Sequence, residues 1–66
     1  MTSSLDRIRD DLQTAAESLA DEAIELLSRA VHAEEHEQVA LKNLERRVTR
    51  ARRSVEKAIV LLDGGE

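Results

Sequence analysis

Sixty-six residues with a formal net charge of −4, no Cys, no Pro and no aromatic side chain make one small domain at most. The missing Cys excludes disulfides and thiolate metal sites, and the missing aromatics exclude a base-stacking platform for single-stranded nucleic acid. No apolar run approaches the ~20 residues of a membrane span, and the opening MTSSLDRIRDD is too acidic for a secretory leader, so a cytoplasmic chain without membrane contact is expected.

The first predicted element is a helix over about residues 5–32, after a cap segment at 1–4. Leu5, Ile8, Leu12, Ala15/Ala16, Leu19, Ala23, Leu26/Leu27 and Ala30 recur at helical spacing. Ser3 followed by Asp6 is a helix-start pattern, with a carboxylate on the positive end of the helix dipole.

A turn is expected at 33–35. Carrying the later apolar series back in sevens lands on Glu34 and Glu37, so the register changes there. Arg29 and His32 suit a helix C-terminus, and Glu34, Glu35 and Glu37 suit an N-terminus. Against the turn, the segment lacks Gly, Pro, Asn and Asp and is rich in good helix formers. The alternative is therefore one continuous helix of ~87 Å in a coiled coil, at ~1.5 Å rise per residue.

The second helix is predicted over about 35–62. Leu41, Leu44, Val48, Ala51, Val55, Ala58/Ile59 and Leu62 form a 3-4 stripe, and Asp63-Gly64-Gly65 ends it ahead of a flexible tail at 63–66. The fold class is thus all-α: a two-helix antiparallel hairpin in a single domain spanning 1–66. Its expected core is Leu12, Leu19, Leu26, Leu44, Val48 and Val55.

His32-Ala33-Glu34-Glu35-His36 matches the H-x-x-E-H pattern of zinc peptidases. That chemistry needs both imidazoles on one helix face and a third ligand, and no third ligand is identifiable. A carboxylate-bridged metal in a helical bundle needs Glu-x-x-His pairs, and none exists. The expectation is two solvated turn histidines, no metal, no cofactor and no catalytic residue.

Residues 1–38 hold ten acids and three bases, whereas 39–66 hold four acids and seven bases. Asp6, Asp10, Glu17 and Asp21 make an acidic rail opposite the core of the first helix. Arg46, Arg50, Arg53 and Lys57 make a basic rail on the second, a possible contact for phosphates without sequence reading.

A chain this short buries only about 60% of its unfolded surface and needs a staple or a partner. The segments around 24–31 and 58–62 carry more apolar residues than one seam can bury. The expected interface is Ile24, Leu27 and Val31 of one copy against Ile59, Val60 and Leu62 of an antiparallel mate. The product is a homodimeric four-helix bundle. In length, mid-chain turn and acidic Gly-containing tail the chain resembles the Rop-type RNA-binding hairpins. The likeness implies the same dimeric plan, but it carries no motif and no site residue. The Gly64-Gly65-Glu66 end looks like that of the prokaryotic ubiquitin-like modifiers, whose terminal Glu is conjugated; a helix stop accounts for the same glycines.

The functional expectation is a non-enzymatic oligomerisation or adaptor module acting through protein–protein contact. Alternatives are a nucleic-acid-associated protein using the basic rail, and a small accessory subunit docking on another chain.

Overall fold

The computed structural model describes residues 3–65; Met1 and Thr2 of the expected cap segment and Glu66 of the expected tail lie outside the described residues. Helix α1 runs Ser4–His32 and helix α2 runs Glu35–Leu62. The two-helix hairpin forms as the register shift demanded, and the single long helix does not.

Local chemistry sets both outer ends. Ser3 caps α1: its Oγ accepts from the Asp6 N–H at 3.1 Å, and the Ser3 N–H donates to Asp6 Oδ2 at 3.3 Å. Two of the donors that every helix start leaves unpaired are thereby satisfied. At the far end of α2 the Gly65 N–H donates to the Val60 carbonyl at 2.9 Å, and the Gly64 N–H to that of Leu61 at 3.1 Å. This Schellman closure needs a left-handed residue, and Gly64 supplies it at φ 85°.

The link between the helices uses no special residue. Ala33 (φ −88°, ψ 159°) and Glu34 (φ −70°, ψ 159°) are both extended, a conformation open to any side chain. Arg29 and His32 lie in the last turn of α1, and Glu35 and Glu37 in the first turn of α2, each complementing its helix end.

The seam differs from the stripe expected on α2. On α1 the buried residues are Ala16, Ala23, Leu26 and Ala30, with Leu12 and Leu19 half-buried. On α2 nothing is fully buried; Gln38, Leu41, Glu45, Val48, Arg52, Val55 and Ile59 are half-buried. Counting outward from the turn, Ala30, Ala23 and Ala16 fall level with Gln38, Glu45 and Arg52. Small residues on α1 thus stand opposite long polar ones whose stems cover them. Leu44, expected in the core, is 41% exposed, because the seam passes through Glu45 and leaves Leu44 on its flank.

The hairpin measures 51 × 21 × 11 Å with a radius of gyration of 15.1 Å. A compact chain of this length would have a radius near ~11 Å. The 11 Å dimension is one helix thick. Domains ordinarily enclose a core between two layers, and this chain supplies one.

Candidate interaction surface

At about 100° per residue, the seam positions divide the remaining side chains between two long faces of the hairpin. One face carries Ile8, Ala15 and Glu22 of α1 beside Leu44, Ala51 and Ala58 of α2, with Leu61 at its margin and with Leu5 and Leu62, the open-end residues of the two seam lines, along its border. The opposite face carries Gln13, Ala20 and Leu27 beside Lys42, Thr49 and Glu56. Ile24, Val31, Val39 and Val60 stand along the outer edges of that second face.

Polar contacts are distributed unequally between the faces. On the second face Arg9 Nη1 donates to Asp63 Oδ1 at 2.7 Å, tying the start of α1 to the end of α2. Asp6 and Asp10 stand 3.8 and 3.9 Å from the same guanidinium. The hydrogen bond to Asp63, then the attraction of that carboxylate, raises the Arg9 pKa above its ordinary value, with Asp6 and Asp10 adding to the effect. Gln13 with Glu17 (3.3 Å), Thr49 with Glu45 (2.8 Å) and Arg52 with Glu56 (3.5 Å) belong to this face too. Along the first face no side-chain hydrogen bond or ion pair forms among the described residues. We therefore call the first the apolar face and the second the charged face.

Among the described residues ten large apolar side chains are 37–73% exposed: Leu5, Ile8, Ile24, Leu27, Val31, Val39, Leu44, Val60, Leu61 and Leu62. Among the described residues only Leu26, at 1%, is a fully buried large side chain. Of the six expected interface residues, Ile24, Leu27, Val31, Val60 and Leu62 are among the exposed, while Ile59 turns into the seam. The structure does not gather them: Ile24, Leu27 and Val31 cluster at the turn end of the charged face, and Leu62 stands at the open end of the seam, on the border of the apolar face. Sequence reasoning passed over Leu5, Ile8 and Val39 as surface, and placed Leu61 in the apolar segment 58–62 without naming it among the interface residues. Their signal was available as apolar residues left over once each seam is filled.

The basic rail forms as expected on the outside of α2. Arg46, Arg50, Arg53 and Lys57 are all exposed, and Arg46, Arg50 and Arg53 border a shallow groove with Glu45 and Thr49. Arg46 donates to Asn43 Oδ1 at 3.3 Å. The acidic rail is exposed at Asp10, Glu17 and Asp21, while Asp6 is half-buried in its capping role.

The histidines part company at the turn. His32 closes α1 and His36 belongs to α2, so the single helix that H-x-x-E-H chemistry requires is absent. Glu34, His36 and Glu37 bring one ligand atom each within 4.8 Å of one another, all exposed. Glu34 Oε2 stands 3.9 Å from His36 Nδ1. No buried partner orients these groups, as the ligands of a built metal centre are oriented. A groove on the apolar face at the turn end is lined by Arg29, His32, Ala33, Glu37, Ala40 and Leu41.

No helix among the described residues is long and apolar enough to cross a membrane. Comparison with protein-family models, with curated proteins and with solved structures finds no match.

Proposed function

We propose that this chain is a non-enzymatic helical oligomerisation module, a half-core that becomes a four-helix bundle by pairing with a second copy. The observation that carries this reading is the imbalance, among the described residues, between one fully buried large apolar side chain and ten exposed ones. Ile24, Leu27 and Val31 stand together at the turn end and Leu5, Ile8, Leu61 and Leu62 at the open end, and apolar clusters of this kind mark an interface. Area supports the same reading. The chain exposes 5219 Å², about 1,000 Å² more than the ~4,200 Å² typical of a folded monomer of its 7.4 kDa mass. Removing that excess from each of two copies buries about 2,000 Å² in total, the scale of a stable specific interface.

Analytical ultracentrifugation over a concentration series tests the reading. The expected result is a dimer at micromolar concentration whose helical content falls as it dissociates. A folded, strictly monomeric species at all concentrations ends the proposal. A poorly folded monomer that orders only with a different chain supports the accessory-subunit alternative instead.

A second reading keeps one specific observation in its favour. Arg50, Arg53 and Lys57 make no ion pair within 4.0 Å among the described residues, so they are free to meet phosphates. Sequence-independent duplex binding through them would weaken steeply with salt. Unchanged binding in an Arg50→Glu, Arg53→Glu variant would dismiss it.

A further inference from the structure

Resting on the homodimer reading, we infer that the second copy docks on the apolar face, turn beside turn and α1 against the partner's α2. This differs from the turn-to-terminus mating expected from the sequence. Three observations carry it.

The first is chemical. The charged face already uses its polar groups in contacts within the chain, and its apolar residues are interrupted by Gln13, Thr49 and Glu56. The apolar face has no such contacts among the described residues. Ala15, Ala51 and Ala58 are small, which lets a second helix pair approach closely between Ile8 and Leu44.

The second is the order of layers along that face. Counting from the turn, Ile8 is level with Ala58, Ala15 with Ala51, Glu22 with Leu44, and Arg29 with Glu37. Apolar character therefore fades towards the turn. A turn-to-terminus stack sets Ile8 and Ala58 against Arg29 and Glu37 of the second copy and buries those charges on apolar layers. A turn-to-turn stack matches apolar layers with apolar ones and brings Arg29 to Glu37 of the second copy. Arg29 and Glu37 line one groove yet form no ion pair with each other within the chain.

The third is long-range charge. Helix α1 carries seven acids against three bases, and α2 four acids against seven bases. A two-fold axis parallel to the helices surrounds each acidic helix with basic ones. The perpendicular axis of the other arrangement stacks acidic on acidic and basic on basic, which electrostatic complementarity disfavours.

The absence of Cys allows a single label. A nitroxide on Glu34→Cys, at the solvent-exposed turn, reports the distance between turns in the assembled dimer by pulsed electron resonance. Turn-to-turn docking predicts about 20 Å or less, from interaxial spacings of ~8–10 Å plus the label arms. Turn-to-terminus docking predicts about 40 Å, the length of a 28-residue helix. A dimer with the long distance overturns this inference and leaves the homodimer standing; a monomer overturns both. The face is tested separately by sedimentation of Ala51→Glu and Leu27→Glu, both at exposed positions. Ala51→Glu should weaken dimerisation by ~100-fold or more, as burial of an unpaired charge does. Leu27→Glu should change it by less than ~10-fold. The reverse order of effects would also overturn the inference.

Discussion

The two ends of the hairpin are held by different physics. Towards the turn, Ala23, Leu26 and Ala30 are buried in the seam. At the open end no described side chain is fully buried; half-buried Leu12, Val55 and Ile59 continue the seam, and the Arg9 guanidinium meets the Asp63 carboxylate across it. Packing in a seam depends on shape and accumulates over many atoms, whereas an exposed ion pair contributes little and is screened by salt. Both halves leave apolar side chains uncovered: Leu5, Ile8, Val60, Leu61 and Leu62 at the open end, and Ile24, Leu27, Val31, Val39 and Leu44 towards the turn.

Substitutions sharpen that contrast, provided unfolding is followed at one fixed protein concentration. Leu26→Ala at the turn end should have the largest effect, about 2–5 kcal/mol in urea unfolding, by lost burial plus the cavity left behind. An effect below about 1 kcal/mol would mean that the seam is looser than described. Ala23→Leu should destabilise by about 1–3 kcal/mol, because the added methylenes have no space against the partner helix. A gain in melting temperature would break the close-packed account of the turn half. At the open end, Gly64→Ala should cost about 1–2 kcal/mol, because φ 85° is strained for any residue with a Cβ. Arg9→Ala should have the smallest effect, a slight drop in melting temperature that vanishes in molar salt.

The pH dependence of that last contact follows from its sign. A raised Arg pKa stabilises the fold fully below the ordinary, strongly basic value of the guanidinium and loses its contribution only as pH rises through the folded value. The wild-type minus Arg9→Ala difference should therefore show no step from this guanidinium between about pH 6 and 9, followed by thermal melts across that range. A step arising from Arg9 within that window would contradict the assignment.

Legibility in the sequence followed the range of the interaction. The Ser3–Asp6 box and the Gly64 closure are written within a few residues of each end, and both were readable. The turn was readable too, although through a register shift and the charges of Arg29, His32, Glu35 and Glu37 rather than through a turn-forming residue. The seam on α2 was readable only in part. Leu41, Val48 and Val55 were found, but Glu45 and Arg52 do not look like seam residues until Ala23 and Ala16 are seen opposite them. That complementarity is a relation between two helices, and no single-strand periodicity contains it; it is also why Leu44 was misplaced. The candidate interface was legible as surplus apolar content. Its division into two faces was not, because that division depends on where the seam runs.

The Ala33–Glu34 link has one further consequence. Both residues sit in a broad basin that suits almost any side chain, and a rotation of their ψ angles would carry the backbone into an unbroken rod. No left-handed residue, proline or capping side chain locks the bend. The fold-back is thus upheld by what the two arms touch, so stripping the seam with polar substitutions should lengthen the molecule beyond 51 Å in small-angle scattering while leaving it helical. In this chain the elbow is obeyed by the limbs' grip on each other and has no latch of its own.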